Sequence, residues 1–427
     1  MTVLAIVFVI LLLLNMPLAF VVGISALTFF IGNSDMPITV AVTKMVYSTQ
    51  SFPLLAVPFF LLAGNIMTEC GITRRLFDFC NISTGHMRGG LAHVNILLST
   101  LMGGISGSAA SDAAMDCRMT APEMIKRGYS KGFTAAVTAY SSLITATIPP
   151  GIGLILFGFI GSVSIGRLFA GGIMPGLLMC AVMMFTAWII SAKRGYGRSR
   201  EKRATLKEFF KSLIDNIWAL LFPFILIIGI RFGFFTPSEA GAFAVIYAIV
   251  IGKFVYKELS NDKIIEALRA TVMDNGMIML IIICSSIFGH VIIYNQAPQA
   301  IAVFLTSLTA DPIALLFIII VFLIVAGMFM EPTVNTLLLT PIFLPIAKSV
   351  GIDPVHFGLI MMTTITLGSF TPPVGVVIYA VCSILEVPLK DYLKESLPFL
   401  ISVLVLVALM VIFPQIVLFI PNLIYGV

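Results

Sequence analysis

Four stretches carry the residue types that could do chemistry inside an otherwise apolar chain. Gly103–Met115 reads GGISGSAASDAAM, and Gly327–Asn335 reads GMFMEPTVN. Thr145–Gly151 (TATIPPG) and Gly368–Gly375 (GSFTPPVG) add a pair of adjacent prolines each. Irregular backbone at membrane depth is tolerated only where protein buries it or where it lines a watery cavity. Adjacent prolines stop one half-helix and can start the next. Half-helix N-termini offer free N–H groups to anions, and C-termini offer carbonyls to cations. The hydroxyls of Ser106, Ser108, Thr145, Thr147, Thr333 and Thr371 add neutral oxygens. Carbonyls with hydroxyls suit Na⁺; zinc or copper would want His or Cys. The competing reading is plainer. Gly and Ser also serve close packing of membrane helices, and a lone proline pair also serves as a kink. Two breaks of each kind favour a site.

Three acids stand in apolar surroundings: Asp112, Asp116 and Glu331. Intramembrane acids default to function. Asp112 and Asp116 are one helical turn apart and share a face. They could carry protons, bind a cation, pair with Arg118, or only hold their segment in shape. Glu331 precedes Pro332 and is placed to cap the helix that follows. The six cysteines show no CxxC pairing and the four histidines no metal-ligand spacing. The cysteines read as small buried apolar residues. The only metal expected is Na⁺, and no cofactor is expected.

The elements that position these residues are membrane helices. The chain is 59% hydrophobic and 11% charged, with mean hydropathy +1.09. Its continuous apolar runs approach the ~20 residues that span a bilayer. Soluble folds and transmembrane β-barrels are excluded, the latter because the runs do not alternate. The net charge of +5 implies no nucleic-acid partner. Met1–Phe30 lacks a basic start and a small-residue cleavage site, and reads as a retained helix.

In order, Thr2–Ile31 is a long helix bent at Pro17, and Gly32–Gln50 lies along the membrane surface. Ser51–Cys70 spans, and Gly71–Gly90 is a polar loop. Residues 91–124 form a re-entrant hairpin, because ~34 residues of straight helix would be about 50 Å against a core of about 30 Å. Residues 133–160 form a broken helix, and Leu168–Ala192 spans. Lys193–Lys211, with eight Lys/Arg against two Glu, is the cytoplasmic loop. Leu213–Phe232 and Ala240–Phe254 span, a basic amphipathic segment follows through about Asp274, and Gly276–Ile293 spans. Asn295–Asp311 is a loop without Lys or Arg. Residues 312–348 form a second hairpin, 356–385 a second broken helix, and Leu397–Ile420 the last span.

A shift of 223 residues superposes the punctuation without a gap. Gly104 falls on Gly327, Pro122 on Pro345, Gly128 on Gly351, Pro149-Pro150 on Pro372-Pro373, and Pro175 on Pro398. Roughly one such coincidence is expected by chance, so the six mark an internal repeat. Asn335 falls opposite Asp112. Equivalent loops differ in charge. Gly71–Gly90 has three arginines and its counterpart Tyr294–Ile313 no basic residue; Met124–Gly132 has three and Ala347–Val355 only Lys348. Equivalent loops therefore face opposite sides, and the repeat is inverted. Leu213–Phe232 is the unpaired span that inverts the second half. The first repeat covers 1–192, the basic loop and linking helix 193–234, and the second repeat 235–427. The N-terminus comes out cytoplasmic and the C-terminus external.

GGISGSAASDAA, the PPG and TPPVG breaks, and GMFMEPTVNTLLLTPIFLP resemble the large membrane (permease) subunit of tripartite ATP-independent periplasmic (TRAP) transporters. The resemblance covers essentially the whole chain. It implies an all-α polytopic fold of the ion-transporter-superfamily elevator type, in the bacterial inner membrane. It implies no enzyme activity, but Na⁺-driven symport of an organic acid, such as sialic acid or a C4-dicarboxylate, delivered by a periplasmic substrate-binding protein. A small four-helix membrane subunit is expected as a separate chain. Carried over, one Na⁺ site uses Gly104, Ser106, Ser108, Thr145 and Pro149. The second uses Gly327, Glu331, Thr333, Gly368, Thr371 and Pro372. The substrate would meet Ser106, Gly107, Ser108, Pro150, Pro332, Thr333 and Pro373. Gly151 stands where the family leads one to expect Ser, and Glu331 where Asp is commoner. The alternative is a stand-alone proton-coupled organic anion carrier using Asp112 and Asp116. An aspartyl hydrolase would need facing carboxylates, and a passive channel would not need paired hairpins.

Overall fold

The computed structural model describes residues 2–14, 16–32, 36–309 and 311–426. All regular structure among them is helical. Six described helices are long and apolar enough to cross a membrane, or up to eight if each sharply bent pair counts as one span.

Each half holds a helix–turn–helix hairpin and a broken helix. The first hairpin has arms Gly90–Gly103 and Ala109–Met119, the latter continued by Ala121–Lys126. Its broken helix is Lys131–Thr147 plus Ile152–Gly161, bent by 41°. The second hairpin has arms Pro312–Phe329 and Pro332–Ser349, and its broken helix is Pro354–Gly368 plus Val376–Leu385. Long closing helices follow each, Ile165–Arg194 and Leu389–Ile412.

Local chemistry sets these boundaries twice over. The Tyr129 N–H donates to the Met124 carbonyl and the Ile352 N–H to that of Ala347, closing both hairpins at the 223-residue spacing. Gly128 and Gly351 supply the positive φ, 85° and 80°, that such a helix stop requires. The next helices start on side-chain caps. Ser130 accepts from the Phe133 N–H, and Asp353 from those of Val355 and His356. Both proline pairs, Pro149-Pro150 and Pro372-Pro373, have cis peptide bonds.

Packing exchanges parts between the halves. The second arm of the first hairpin packs on Val376–Leu385, and that of the second hairpin packs on Ile152–Gly161. Each first arm packs on the first half of its own broken helix. A second group forms around Asn261–Tyr294, which packs on Leu18–Gly32, Ile38–Thr49 and Ala56–Glu69.

Several sequence expectations change. The stretch Gly71–Gly90 is not a loop: Ile72–Thr84 is a helix that buries Ile72, Leu76, Phe79 and Cys80. Those positions follow the i, i+4, i+7, i+8 stripe of an amphipathic helix, and its arginines hid the pattern. Asn295–Asp311 likewise contains the helix Ala297–Leu308. The first apolar run is two helices, Thr2–Leu13 and Leu18–Gly32, because Pro17 removes a donor where the run was expected only to bend. The basic loop is shorter than expected: a capping box at Thr205 and Glu208 starts the helix Leu206–Asp215 inside it. The helix Ile217–Arg231 follows at a 62° bend. The basic segment after Phe254 and the next span are one 34-residue helix, Asn261–Tyr294. Residues 33–35 of the connection 32–50 and residue 310 of the connection 295–311 lie outside the described residues.

Candidate functional site

The tip of each hairpin rests on the break of its own broken helix. The Ile152 N–H donates to the Gly107 carbonyl at 3.4 Å, and the Gly375 N–H to that of Met328 at 2.9 Å. Gly107 has φ of +60°, and a Cβ there would meet the Pro150 carbonyl oxygen. Only glycine combines this conformation with this approach. In the second half the contact lies between glycines: a Cβ on Gly327 would stand 3.0 Å from the Gly368 Cα. Gly104 packs instead against the Pro223 ring.

Between the two tips lies a cavity of about 770 Å³. Ser106, Gly107, Ser108 and Ser111 line it from the first hairpin, and Glu331, Pro332 and Thr333 from the second. The opposite wall is Asn65 and Thr68 from Ala56–Glu69 and Asp274 and Met277 from Asn261–Tyr294. Among the described residues its lining holds two acids, Glu331 and Asp274, and no Lys, Arg or His. The volume falls in the range of small-molecule sites.

The remaining expected site residues are outside the cavity lining: Gly104, Thr145, Pro149, Pro150, Gly327, Gly368, Thr371, Pro372 and Pro373. The Thr371 hydroxyl donates to the Gly368 carbonyl at 2.7 Å. The Thr145 hydroxyl lies 2.8 Å from Asp112 Oδ2. Thr145 thus ties the first broken helix to the hairpin.

The two tips differ in how their second arm begins. Ser108 makes no side-chain cap on Ala109–Met119. Glu331, its counterpart in the repeat, caps Pro332–Ser349 through the N–H groups of Thr333 and Val334, at 2.9 and 3.3 Å. Its other oxygen accepts from the Thr333 hydroxyl at 2.8 Å. The cap expected from the Glu331-Pro332 pair is present.

Asp112 and Asp116 are fully buried and do not line the cavity. Asp116 Oδ2 accepts from the Asn95 amide at 3.0 Å and the Ser99 hydroxyl at 2.9 Å. The same amide reaches Thr120 Oγ1 at 2.6 Å, and the Ser141 hydroxyl donates to Asn95 Oδ1 at 2.9 Å. These bonds fold the arms back on each other and onto the broken helix. Arg118 is exposed, and no ion pair joins it to either acid among the described residues. The Oδ1 atoms of both acids have no hydrogen-bond partner there. Asn335, opposite Asp112, does comparable positioning work: its amide donates to the carbonyls of Ala326 and Met330, at 3.2 and 2.9 Å.

Sequence reasoning missed Asn65 and Asp274 in the cavity wall and Asn95 in the hairpin. Each had a signal, being a polar residue in or beside an apolar run. The helices carrying Asn65 and Asp274 run on unbroken past Gly64 and Gly276.

Three comparisons bear on identity. The family described as "Tripartite ATP-independent periplasmic transporter, DctM component" matches residues 5–416. The sialic acid TRAP transporter large permease protein SiaM of Vibrio cholerae is 37% identical over 416 residues, covering 97% of each chain. The C4-dicarboxylate TRAP transporter large permease protein DctM of Pseudomonas aeruginosa is 34% identical over 397 residues, covering 93% of this chain and 92% of its own. Among solved structures, the YdaH transporter of Alcanivorax borkumensis aligns over 97% of this chain and 98% of its own. Its TM-score is 0.63 at 15% identity, a likeness of fold alone. With a family match over nearly its whole length and long, apolar helices, this chain belongs to the DctM family of TRAP transporters, as a large, multi-pass permease subunit of the bacterial inner membrane.

Proposed function

We propose that the chain is the transport subunit of a Na⁺-coupled symporter that imports an organic acid of the sialic acid or C4-dicarboxylate type. The observation that carries this reading is the cavity between the tips. It meets the uncapped N-terminus of Ala109–Met119 and a ring of hydroxyls, with no basic side chain in its lining. An organic anion held there needs backbone N–H groups and accompanying cations. Na⁺ travels as cargo, bound by carbonyls and hydroxyls where each tip meets its break. The solute arrives on a periplasmic binding protein, and a small membrane subunit completes the complex. The names of the Vibrio and Pseudomonas relatives support both the substrate types and the tripartite assembly.

Alternating access follows as an elevator movement. The hairpins and broken helices move as one body against the group around Asn261–Tyr294, and the hairpins are re-entrant. The shared packing of each tip on its own break supports rigid movement, since the parts of the site then travel together. The proton-coupled alternative has less support, because Asp112 and Asp116 are turned away from the cavity.

The test is uptake into proteoliposomes that hold the chain with its small subunit, supplied with a loaded binding protein. Uptake should require an inward Na⁺ gradient at fixed pH and should fall in Ser106→Ala with Thr371→Ala. Uptake that follows a pH gradient without Na⁺, or that ignores both substitutions, would overturn the reading.

A further inference from the structure

The short helix Leu206–Asp215 turns apolar side chains in two directions. Inward, Phe209 packs on Phe79 of Ile72–Thr84, with ring centroids 5.8 Å apart. Outward, Leu206, Phe210 and Ile214 stand one turn apart on a single face, 77%, 55% and 66% exposed. Lys207 and Lys211 border that stripe, about 100° round the helix from Leu206 and Phe210. Glu208 is already engaged, by the Thr205 N–H at 3.1 Å and by Arg200 at 3.4 Å. Arg198, Lys202, Arg203, Lys207 and Lys211 have no acidic partner among the described residues. The helix meets the span Ile217–Arg231 at 62°, so a span near the bilayer normal leaves it closer to the membrane plane. Trp218, a residue type favoured at the membrane interface, opens that span.

We propose that Leu206–Asp215 and the cations beside it form a binding site for an anionic phospholipid of the cytoplasmic leaflet. The apolar stripe enters the boundary between headgroups and acyl chains. The lysine stems run along it, and their ammonium groups reach the lipid phosphate. Basic clusters of about this size next to a span or on an amphipathic helix attract anionic lipid in this way. A zwitterionic headgroup carries the same phosphate but no net charge, so it leaves the cations uncompensated. A protein neighbour could cover the stripe, but the surplus of unpaired cations favours an anionic occupant. The site sits at a joint. On one side the Ser199 N–H donates to the Gly85 carbonyl at 2.8 Å, and Arg127 of the first hairpin's second arm donates to the Ser199 carbonyl at 3.1 Å. On the other side Ile217–Arg231 packs on Pro237–Val250. The site is independent of which solute or ion the cavity takes.

The test is lipid binding to the purified complex of the chain and its small subunit, delipidated in detergent and read by native mass spectrometry. The probes are dioleoylphosphatidylglycerol and dioleoylphosphatidylcholine, which share acyl chains and phosphate and differ in net charge. The wild type should bind its first phosphatidylglycerol more tightly than phosphatidylcholine. Lys207→Gln with Lys211→Gln should weaken that phosphatidylglycerol by at least about tenfold and leave phosphatidylcholine unchanged. Lys202→Gln with Arg203→Gln should act in the same direction. Lipid-free melting curves check the fold of both pairs, and one folded pair suffices to read the site. Lys390→Gln with Lys394→Gln is the control. It removes the same charge from exposed lysines at the start of Leu389–Ile412, and should change neither affinity. Equal binding of the two lipids to the wild type, or an equal loss in the control pair, would overturn the proposal. So would phosphatidylglycerol binding that survives both site pairs, a result that gives the stripe to a protein neighbour instead.

Discussion

The contact between Gly327 and Gly368 gives a packing prediction whose size can be worked out. Gly368 lies at the end of Pro354–Gly368, where a Cβ would stand 2.5 Å from the Ile324 carbonyl oxygen and 2.6 Å from the Gly327 Cα. Ordinary contacts of that kind are 3.4–4 Å. Both obstacles are backbone, which cannot swing aside as a side chain would. Gly368→Ala must therefore part the two helices by about 1 Å, an overpacking that costs ~1–3 kcal/mol. The strain falls where the second tip rests on its break, so solute uptake should fall further than stability does. Gly276→Ala is the matched control. It sits in the helix Asn261–Tyr294 with nothing within 4 Å of its Cβ position. There the better helix propensity of alanine should leave stability unchanged or raise it by up to ~1 kcal/mol. Thermal melting of the purified complex, with uptake in proteoliposomes, reads both. A Gly368→Ala protein that melts and transports like the wild type would refute the close backbone contact. So would a Gly276→Ala protein that is equally damaged.

Asn95→Ala removes one of two donors to Asp116 and the acceptor of Ser141. It should destabilise by ~1–3 kcal/mol in melting or denaturant assays, the cost of buried groups left unpaired. Glu395→Gln breaks the 2.7 Å ion pair with Arg194, whose side chains are 38% exposed on Arg194 and 13% on Glu395. Its effect on melting should stay at or below ~1 kcal/mol, as water screens such pairs. His86 lies in the turn between Ile72–Thr84 and the first hairpin. Burial, then the charges of Arg203, Arg198 and Arg200, hold its imidazole below the usual value. A histidine whose folded value is depressed contributes full stability above its unfolded value of about 6.5, and that contribution is lost as pH falls through it. Melting temperature should decline on acidification below that point, and His86→Gln should flatten the decline.

Much of this molecule was legible because proline and glycine act locally. Pro149-Pro150 and Pro372-Pro373 interrupt helices wherever they stand, so both breaks were readable without tertiary information. Gly128 and Gly351 mark helix stops in the structure as they marked the repeat in the sequence. The amphipathic helix Ile72–Thr84 read as a polar loop, because its apolar stripe is short and charged residues, Arg74, Arg75 and Asp78, interrupt it. The cavity wall was hidden for another reason. Asn65 and Asp274 come from helices with no local irregularity, and only tertiary packing brings them opposite the tips. Glu331 illustrates the limit in one residue. Its position before Pro332 announced a helix cap, and the family resemblance put it in an ion site, but only the packing shows that the cap also lines the cavity.

The helix Asn261–Tyr294 continues without interruption for 34 residues, about 50 Å at the usual rise. Its counterpart in the first repeat is cut into Ile38–Thr49, Phe52–Leu55 and Ala56–Glu69. A rod of that length exceeds a hydrocarbon core of about 30 Å and must tilt or project beyond it. Lys263 fixes one end by donating to the carbonyls of Glu69 and Glu258, each at 3.0 Å. Asp274, Met277, Ile278 and Ile281, in its middle, form cavity wall. Any re-tilting of the rod in a thicker or thinner bilayer would therefore move the stretch of cavity wall that Asp274 and its neighbours form.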